Sequence, residues 1–304
     1  MRNKRGIIQK FNQFVGSLRL PRHFNRKGPK KYTVKQHVVA WLVKQATKSS
    51  YRLNSELCYD LQITDAHFTT LGKAIKRFPK WLWDKISSFD SDEELVALDA
   101  TGIERSNRSL YYQWRVDSEY KVKKCIKLSI AAGVKTKHVL RAHVRARPRH
   151  DVIDAKKLMT DKRIYLADKG YNSEKLFEQA YELGGKLITP PKKGWRRGFY
   201  RKKMRKFYDE KIYRKRNPIE SVFGSLKRRF GSSVMSRTFK MQRAEILSRI
   251  AIYNLNSFIA TYFLLNLFLT YPKITTMTTI KTANAPKIIH INAGLPEIEM
   301  FCSK

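Results

Sequence analysis

Ile164-Tyr165-Leu166-Ala167-Asp168-Lys169-Gly170-Tyr171 opens with a short apolar run and ends that run on a carboxylate. Such a run has the length of a buried strand, and Lys169-Gly170 offers a tight turn after it. Residues 173–183 then carry a helical pattern that Gly184-Gly185 can end, and Lys186–Thr189 is another short run, stopped by Pro190-Pro191. A helix between two buried strands is a parallel crossover, and such strands read as apolar runs because helices cover both faces. Working upstream, residues 152–159 read as a helix, and Leu95–Asp99, Cys125–Val134 and Val139–Val144 read as strands. Three strands, then helix, strand, helix, strand and a final helix predict an α/β layered domain.

The first of those strands, Leu95-Val96-Ala97-Leu98-Asp99, also delivers a carboxylate at its end. A third acid, Glu220, opens an amphipathic helix after Tyr213-Arg214-Lys215-Arg216-Asn217-Pro218-Ile219. A carboxylate among apolar neighbours is costly unless its charge is compensated, and hard divalent cations prefer oxygen ligands. The pattern therefore points to a metal-dependent site. Each acid also has an ordinary explanation. Asp99 and Asp168 suit turn starts, and Asn217-Pro218-Ile219-Glu220 matches a capping box with Pro at the first helical position. What favours chemistry is the set, since neighbouring strand ends and a packed helix can bring three carboxylates together.

Composition supplies the substrate class. The 304 residues hold 63 Lys and Arg against 25 Asp and Glu, a formal charge of +38, which speaks for a polyanionic partner such as nucleic acid. A 42% hydrophobic content with 16 Phe and 15 Tyr is enough to build a core, which excludes a disordered cationic tail. Cys58, Cys125 and Cys302 are widely spaced with no CxxC pair, which fits a reducing compartment and argues against zinc. The N-terminus shows no signal-peptide core, because Arg and Lys interrupt its apolar residues. Residues 250–271 carry no charge, yet Asn254, Ser257 and Thr261 form a polar face that lipid would leave unpartnered. A buried helix is expected there, with no membrane span.

Residues 1–31 hold ten Lys or Arg and no acid, and read as a basic arm, solvated or ordering on DNA phosphates. Residues 32–90 read as helical. Leu53, Leu57 and Leu61 mark one stripe and Phe68, Leu71, Ile75 and Phe78 another, with Thr64 or Asp65 able to cap the second helix. The pair fits a helix-turn-helix, and equally any helical hairpin. The stretch 191–212 interrupts the α/β pattern with cations. Trp195, Phe199 and Tyr200 interleave with Arg196, Arg197, Arg201 and Lys202, which suits splayed nucleotides as well as a plain surface loop.

The final helix has Ile219, Val222, Phe223, Leu226 and Phe230 as its apolar stripe and Lys227-Arg228-Arg229 in its last turn. Glu220 and Lys227 project on one side of it, a spacing that suits a metal ligand beside a phosphate-holding cation. Tyr213-x2-Arg216-x3-Glu220-x6-Lys227 resembles the Tyr-Arg-Glu-Lys signature of DDE transposases from prokaryotic insertion sequences. Asp99 in Leu-Asp-Ala-Thr-Gly is similar to that family's first Asp, and Asp168 in Ala-Asp-Lys-Gly-Tyr to its second. The similarity runs in order from Asp99 to Lys227, is weaker over residues 1–90, and leaves out the tail 271–304, which has no evident periodicity. His150-Asp151 also resembles a family element, although Asp151 suits the cap of the next helix.

The resemblance implies an RNase H-like catalytic domain over 91–270 and two Mg²⁺ (or Mn²⁺) ions held by Asp99, Asp168 and Glu220. It also implies cleavage at transposon terminal inverted repeats and joining of the freed 3′-OH to target DNA. Tyr213, Arg216 and Lys227 would hold DNA phosphates, with the chain acting in the cytoplasm, on the nucleoid, as a homodimer on DNA. Pro218 starts the helix, which puts Tyr213 and Arg216 on its entry segment. Two other readings share the evidence: an RNase H-like structure-specific nuclease, and a catalytically dormant DNA-binding protein.

Overall fold

The computed structural model describes residues 2–24, 30–105, 125–147, 149–191 and 197–270. Its centre is a mixed sheet in the order β3-β2-β1-β4-β5, formed by β1 (Leu95–Arg105), β2 (Cys125–Gly133), β3 (Val139–Arg145), β4 (Ile164–Ala167) and β5 (Lys186–Ile188), with the short β6 (Ser233–Val234) pairing parallel to the end of β1. The β1–β2 and β2–β3 pairs are antiparallel, while β1–β4 and β4–β5 are parallel. Helix α6 (Asp151–Leu158) crosses from β3 to β4 and α7 (Glu174–Glu182) from β4 to β5. Gly184, at φ 70°, ends the α7 crossover in the left-handed conformation expected of it. Three antiparallel strands continued by two parallel ones, with helices on both faces, is the RNase H-like α/β arrangement.

Alternation along β1 assigns the faces. Val96 and Leu98 pack with Ala155, Leu158, Tyr165, Leu176, Phe177 and Met204 on one side. Ala97 and Ile103 pack on the other, with the stripe of α10 (Pro218–Phe230) and with Leu247 and Ile250 of α11 (Phe239–Thr270). That second core continues without a break into the N-terminal helices α1 (Arg2–Ser17), α2 (Val34–Thr47), α3 (Tyr51–Asp60), α4 (Phe68–Arg77) and α5 (Lys80–Ser87), so one apolar interior crosses residue 90.

Several local expectations change. Residues 2–17 are a helix, because Phe11 and Val15 are apolar at helical spacing and bury beside α2. The buried face of α3 is Asn54 and Cys58, and Leu53 is 50% exposed. The Asn54 side-chain amide donates to Ala40 O at 3.1 Å, an interior hydrogen bond that a hydrophobic stripe does not reveal. Neither Thr64 nor Asp65 caps α4: Thr64 accepts from Ala66 N, and Asp65 pairs with Lys31. Strand β1 runs through Asp99 to Arg105, because its partner β2 continues from Ile130 to Cys125. Within 191–212, α8 (Phe199–Lys206) and α9 (Glu210–Arg214) form. Glu174 accepts Tyr200 N at 2.8 Å and Arg201 N at 3.2 Å, and Met204 is buried.

Among the described residues no helix is long and apolar enough to cross a membrane. Of the polar face expected on α11, Asn254 finds protein partners, while the side chains of Ser257 and Thr261 lie outside the described residues. Asn254 accepts from Val139 N at 2.9 Å and donates to Val139 O at 2.8 Å, tying helix to strand. Cys58 and Cys125 are unpaired.

Beneath α6 lies a polar layer formed by Lys127, Ser129, His143, Arg145 and Asp154. Burial, more than the surrounding cations, pushes the His143 imidazole down to about 4. The unfolded chain binds this proton below its ordinary value of about 6.5, whereas the folded chain resists it until about pH 4. Folding stability should therefore fall as pH drops through that window, by on the order of 3 kcal/mol from this group. Urea denaturation of wild type and His143→Gln between pH 7 and 4 checks it. An identical slope in the variant would remove His143 from the account.

Candidate active site

Asp99 sits mid-strand on β1, opposite Ile130 of β2, with its side chain on the α10 face. Its Oδ1 accepts from Ala100 N at 2.8 Å, and Oδ2 lies 3.4 Å from Arg216 Nη1. Burial raises its carboxyl above the ordinary value; Ala100 and Arg216 oppose the shift, and the negative charges of Asp168 and Asp151 add to it. Asp168 follows β4 directly, so parallel pairing with β1 brings the two acids to neighbouring strands. Its backbone carbonyl starts the turn at Lys169–Tyr171, but its side chain makes no capping bond and is left exposed.

Glu220 stands in the first turn of α10, with Pro218 beginning the helix as expected. The capping box does not form: Asn217 has helical dihedrals and makes no side-chain cap. Instead Glu220 Oε1 lies 3.7 Å from Arg216 Nη2. One guanidinium, only 14% exposed, thus holds two acids from distant parts of the chain. Tyr213, on α9, has its hydroxyl raised by burial, with Arg216 opposing the shift and Asp168 adding to it, which places it beside both. Arg216 thus joins Asp99 and Tyr213, the charge of Asp168 is felt by both Asp99 and Tyr213, and Glu220 joins through Arg216. Lys227 is exposed two turns along α10 and borders a small cleft with Thr101 and Phe230.

Of the basic segment, Arg197 and Lys202 are exposed and Phe199 is 70% exposed. Arg201 bonds inward, to Asn172 Oδ1 at 2.9 Å and Arg197 O at 2.6 Å. Trp195 and Arg196 lie outside the described residues, as does the tail 271–304.

Sequence reading missed two contributors. Asp151 is not the cap of α6, a place taken by His150, whose Nδ1 accepts Val152 N. It pairs with Lys127 at 2.5 Å and lies against Gly170 in the turn after Asp168. Tyr171 is 1% exposed and its hydroxyl has no hydrogen-bond partner among the described residues; burial first, then the charges of Asp151 and Asp99, raise its pKa. The His150-Asp151 and Asp168-Lys-Gly-Tyr motifs were the available signals, but only the fold brings them together.

Among the described residues, no three Asp, Glu, His or Cys side chains are gathered closely enough to hold one metal ion as they stand. The chemistry of the donor set nonetheless suits a hard cation. Asp99 and Asp168 offer oxygens only, their mutual repulsion is what added positive charge would relieve, and Glu220 is held next to them by a cation already.

No curated protein matches the sequence. Among solved structures, the chain is similar to a piggyBac transposase synaptic complex with hairpin DNA determined by cryo-EM. The identity is 13%, the TM-score 0.44, and the match covers 91% of this chain and 80% of that one. The family model described as the transposase DDE domain matches residues 90–255, a stretch that takes in β1 to β6 (Ser233–Val234) and all three acids. With more than half its length matched, the chain belongs to the transposase DDE domain family.

Proposed function

We propose that this transposase binds insertion-sequence ends, cleaves DNA there and joins the freed 3′-OH to target DNA. The observation that carries the reading is the meeting of Asp99 and Glu220 on Arg216, with Asp168 near enough to raise the Asp99 carboxyl. Asp99, Asp168 and Glu220 would hold two divalent cations, Mg²⁺ or Mn²⁺, which when bound lower the barrier of an in-line phosphoryl displacement by stabilising attacking and leaving oxygens. The protein's own part is placement. Strands β1 and β4 would hold two carboxylates on a rigid sheet, and the third, on α10, would join them from its place beside Arg216. Tyr213, Arg216 and Lys227 would hold phosphates on the same side, and the net charge of +38 supplies affinity that does not depend on sequence.

End recognition falls to α3 and α4. Thr69, Lys73 and Lys76 form the exposed face of α4, opposite buried Leu71 and Ile75. Deletion of this region would open the shared core, so surface substitution is the cleaner test. Lys73→Ala with Lys76→Ala should reduce the preference for end sequences over random duplex and leave the fold intact. An unchanged preference returns α3–α4 to a structural hairpin.

The deciding experiment incubates purified protein with a duplex carrying the element's terminal repeat, a target duplex and Mg²⁺ or Mn²⁺. Joined product is the expected result. Cleavage without joining would support a structure-specific nuclease, and binding with neither reaction a dormant DNA-binding protein.

A further inference from the structure

We infer that Arg216 is the resident counter-ion of the Asp99–Glu220 pair in the DNA-free chain, so that a divalent cation binds only as this guanidinium gives way. The inference rests on the proposed metal-site reading and specifies how that site is controlled. Arg216 Nη1 lies 3.4 Å from Asp99 Oδ2 and Nη2 lies 3.7 Å from Glu220 Oε1, while the side chain is 14% exposed. A planar fork presents separate donors to the two carboxylates, Nη1 to Asp99 and Nη2 to Glu220. Its backbone keeps it there: Arg216 N donates to Tyr213 O, and Arg216 O accepts from Ile219 N, so the residue is pinned in the turn between α9 and α10. Glu220, four residues on, forgoes the capping bond its position allows and lies beside the guanidinium.

The consequence follows from competition for the same oxygens. Positive charge already neutralises part of what a cation would neutralise, and that cation must break both ion pairs to bind Asp99 and Glu220 together. A DNA phosphate beside the site would draw the guanidinium toward itself, since a bidentate arginine–phosphate pair is also strong. Cation and DNA then favour each other's binding, as linkage requires. The transposase would be poorly loaded when free and well loaded on DNA, which limits unproductive chemistry.

The test is Mn²⁺ binding by the full-length, DNA-free protein, read as loss of the free-ion signal in electron paramagnetic resonance. Arg216→Gln should bind Mn²⁺ at least about tenfold more tightly than wild type, the factor given by about 1.4 kcal/mol. Arg216→Lys should fall between them, because it keeps the charge but loses the fork that offers each acid its own nitrogen. A random-sequence duplex should tighten Mn²⁺ binding by wild type and add little for Arg216→Gln, with Asp99→Asn as the control for ions held by DNA alone. Equal or weaker binding by both Arg216 variants, with Asp99→Asn still defective, overturns the counter-ion role and leaves the metal site standing. Unchanged Mn²⁺ binding by Asp99→Asn and Glu220→Gln would instead sink the metal-site reading itself. Near-ultraviolet circular dichroism on each variant separates these outcomes from misfolding.

Discussion

Asp99→Asn, Asp168→Asn and Glu220→Gln should each abolish cleavage and joining while leaving DNA binding within a few-fold of wild type. Each substitution keeps size and hydrogen-bonding capacity, so what it removes is negative charge and ligand strength. In metal sites the loss of a partner one layer beyond the ligands already costs about 10–100-fold. Loss of a ligand should exceed that. Affinity for DNA resides in Lys and Arg, and removing an acid near the phosphate path reduces repulsion, so binding should hold or tighten slightly. Glu220→Gln is the most discriminating of the three. Glu220 is 70% exposed on its side chain and makes no capping bond, so its replacement should cost little stability. A folded, inactive Glu220→Gln enzyme places the residue in the chemistry. Near-normal activity in Mg²⁺ for any of the three would exclude that residue from the site.

The parts of the architecture that could be read from the sequence were those where one local pattern controls the outcome. Apolar runs at 95–98 and 164–167 became β1 and β4 because strands covered on both faces need continuous hydrophobicity. The apolar stripe of α10 is buried at Ile219, Val222, Phe223, Leu226 and Phe230 as its spacing required. What depends on partners distant in the chain was harder to read. Helix α1 is stabilised by burial of Phe11 and Val15, which cannot be weighed from a segment that otherwise looks like a cationic arm. The α3 face is set by an interior hydrogen bond from Asn54 to α2, so the leucine stripe misled. At the site, the spacing of Arg216 and Glu220 was visible as a motif. That Arg216 reaches Asp99, 117 residues away, is a fact of tertiary packing. Asp151 was obscured by its position at a helix start, where an acid has a sufficient local explanation.

Asp154→Ala should destabilise the fold by about 3–5 kcal/mol, the range found when one member of a buried ionic cluster is removed. The carboxylate is fully buried. Its Oδ1 accepts from Arg145 Nε at 2.8 Å and Nη2 at 2.5 Å, and its Oδ2 from Ser129 Oγ at 3.2 Å, with Lys127 Nζ 3.3 Å away. Burial alone would raise its pKa, but Arg145 and Lys127 hold it below the ordinary carboxylate value. Without it Arg145 loses the acid that it pairs with among the described residues, while Lys127 keeps Asp151 and Arg149 O. The loss therefore falls mainly on the β3–α6 contact, and it is a large part of the total when domains are stable by only about 5–15 kcal/mol. Asp154→Asn retains the shape and the Ser129 bond and should lie between wild type and Asp154→Ala. The sign with pH is defined: a depressed carboxylate contributes stability above its unfolded value that is lost as pH falls through the folded one, so both variants should show a flatter acid limb. Urea denaturation at pH 7 measures the first effect and a series carried down to below about pH 3 the second, and a loss below 1 kcal/mol for Asp154→Ala at pH 7 would mean the cations find water instead. The effect should also reach the chemistry, because α6 carries Asp151, which lies against Gly170 in the turn that follows Asp168. If Asp154→Asn stays folded at low temperature yet cleaves more slowly than wild type, the polar layer beneath α6 is holding that turn in place.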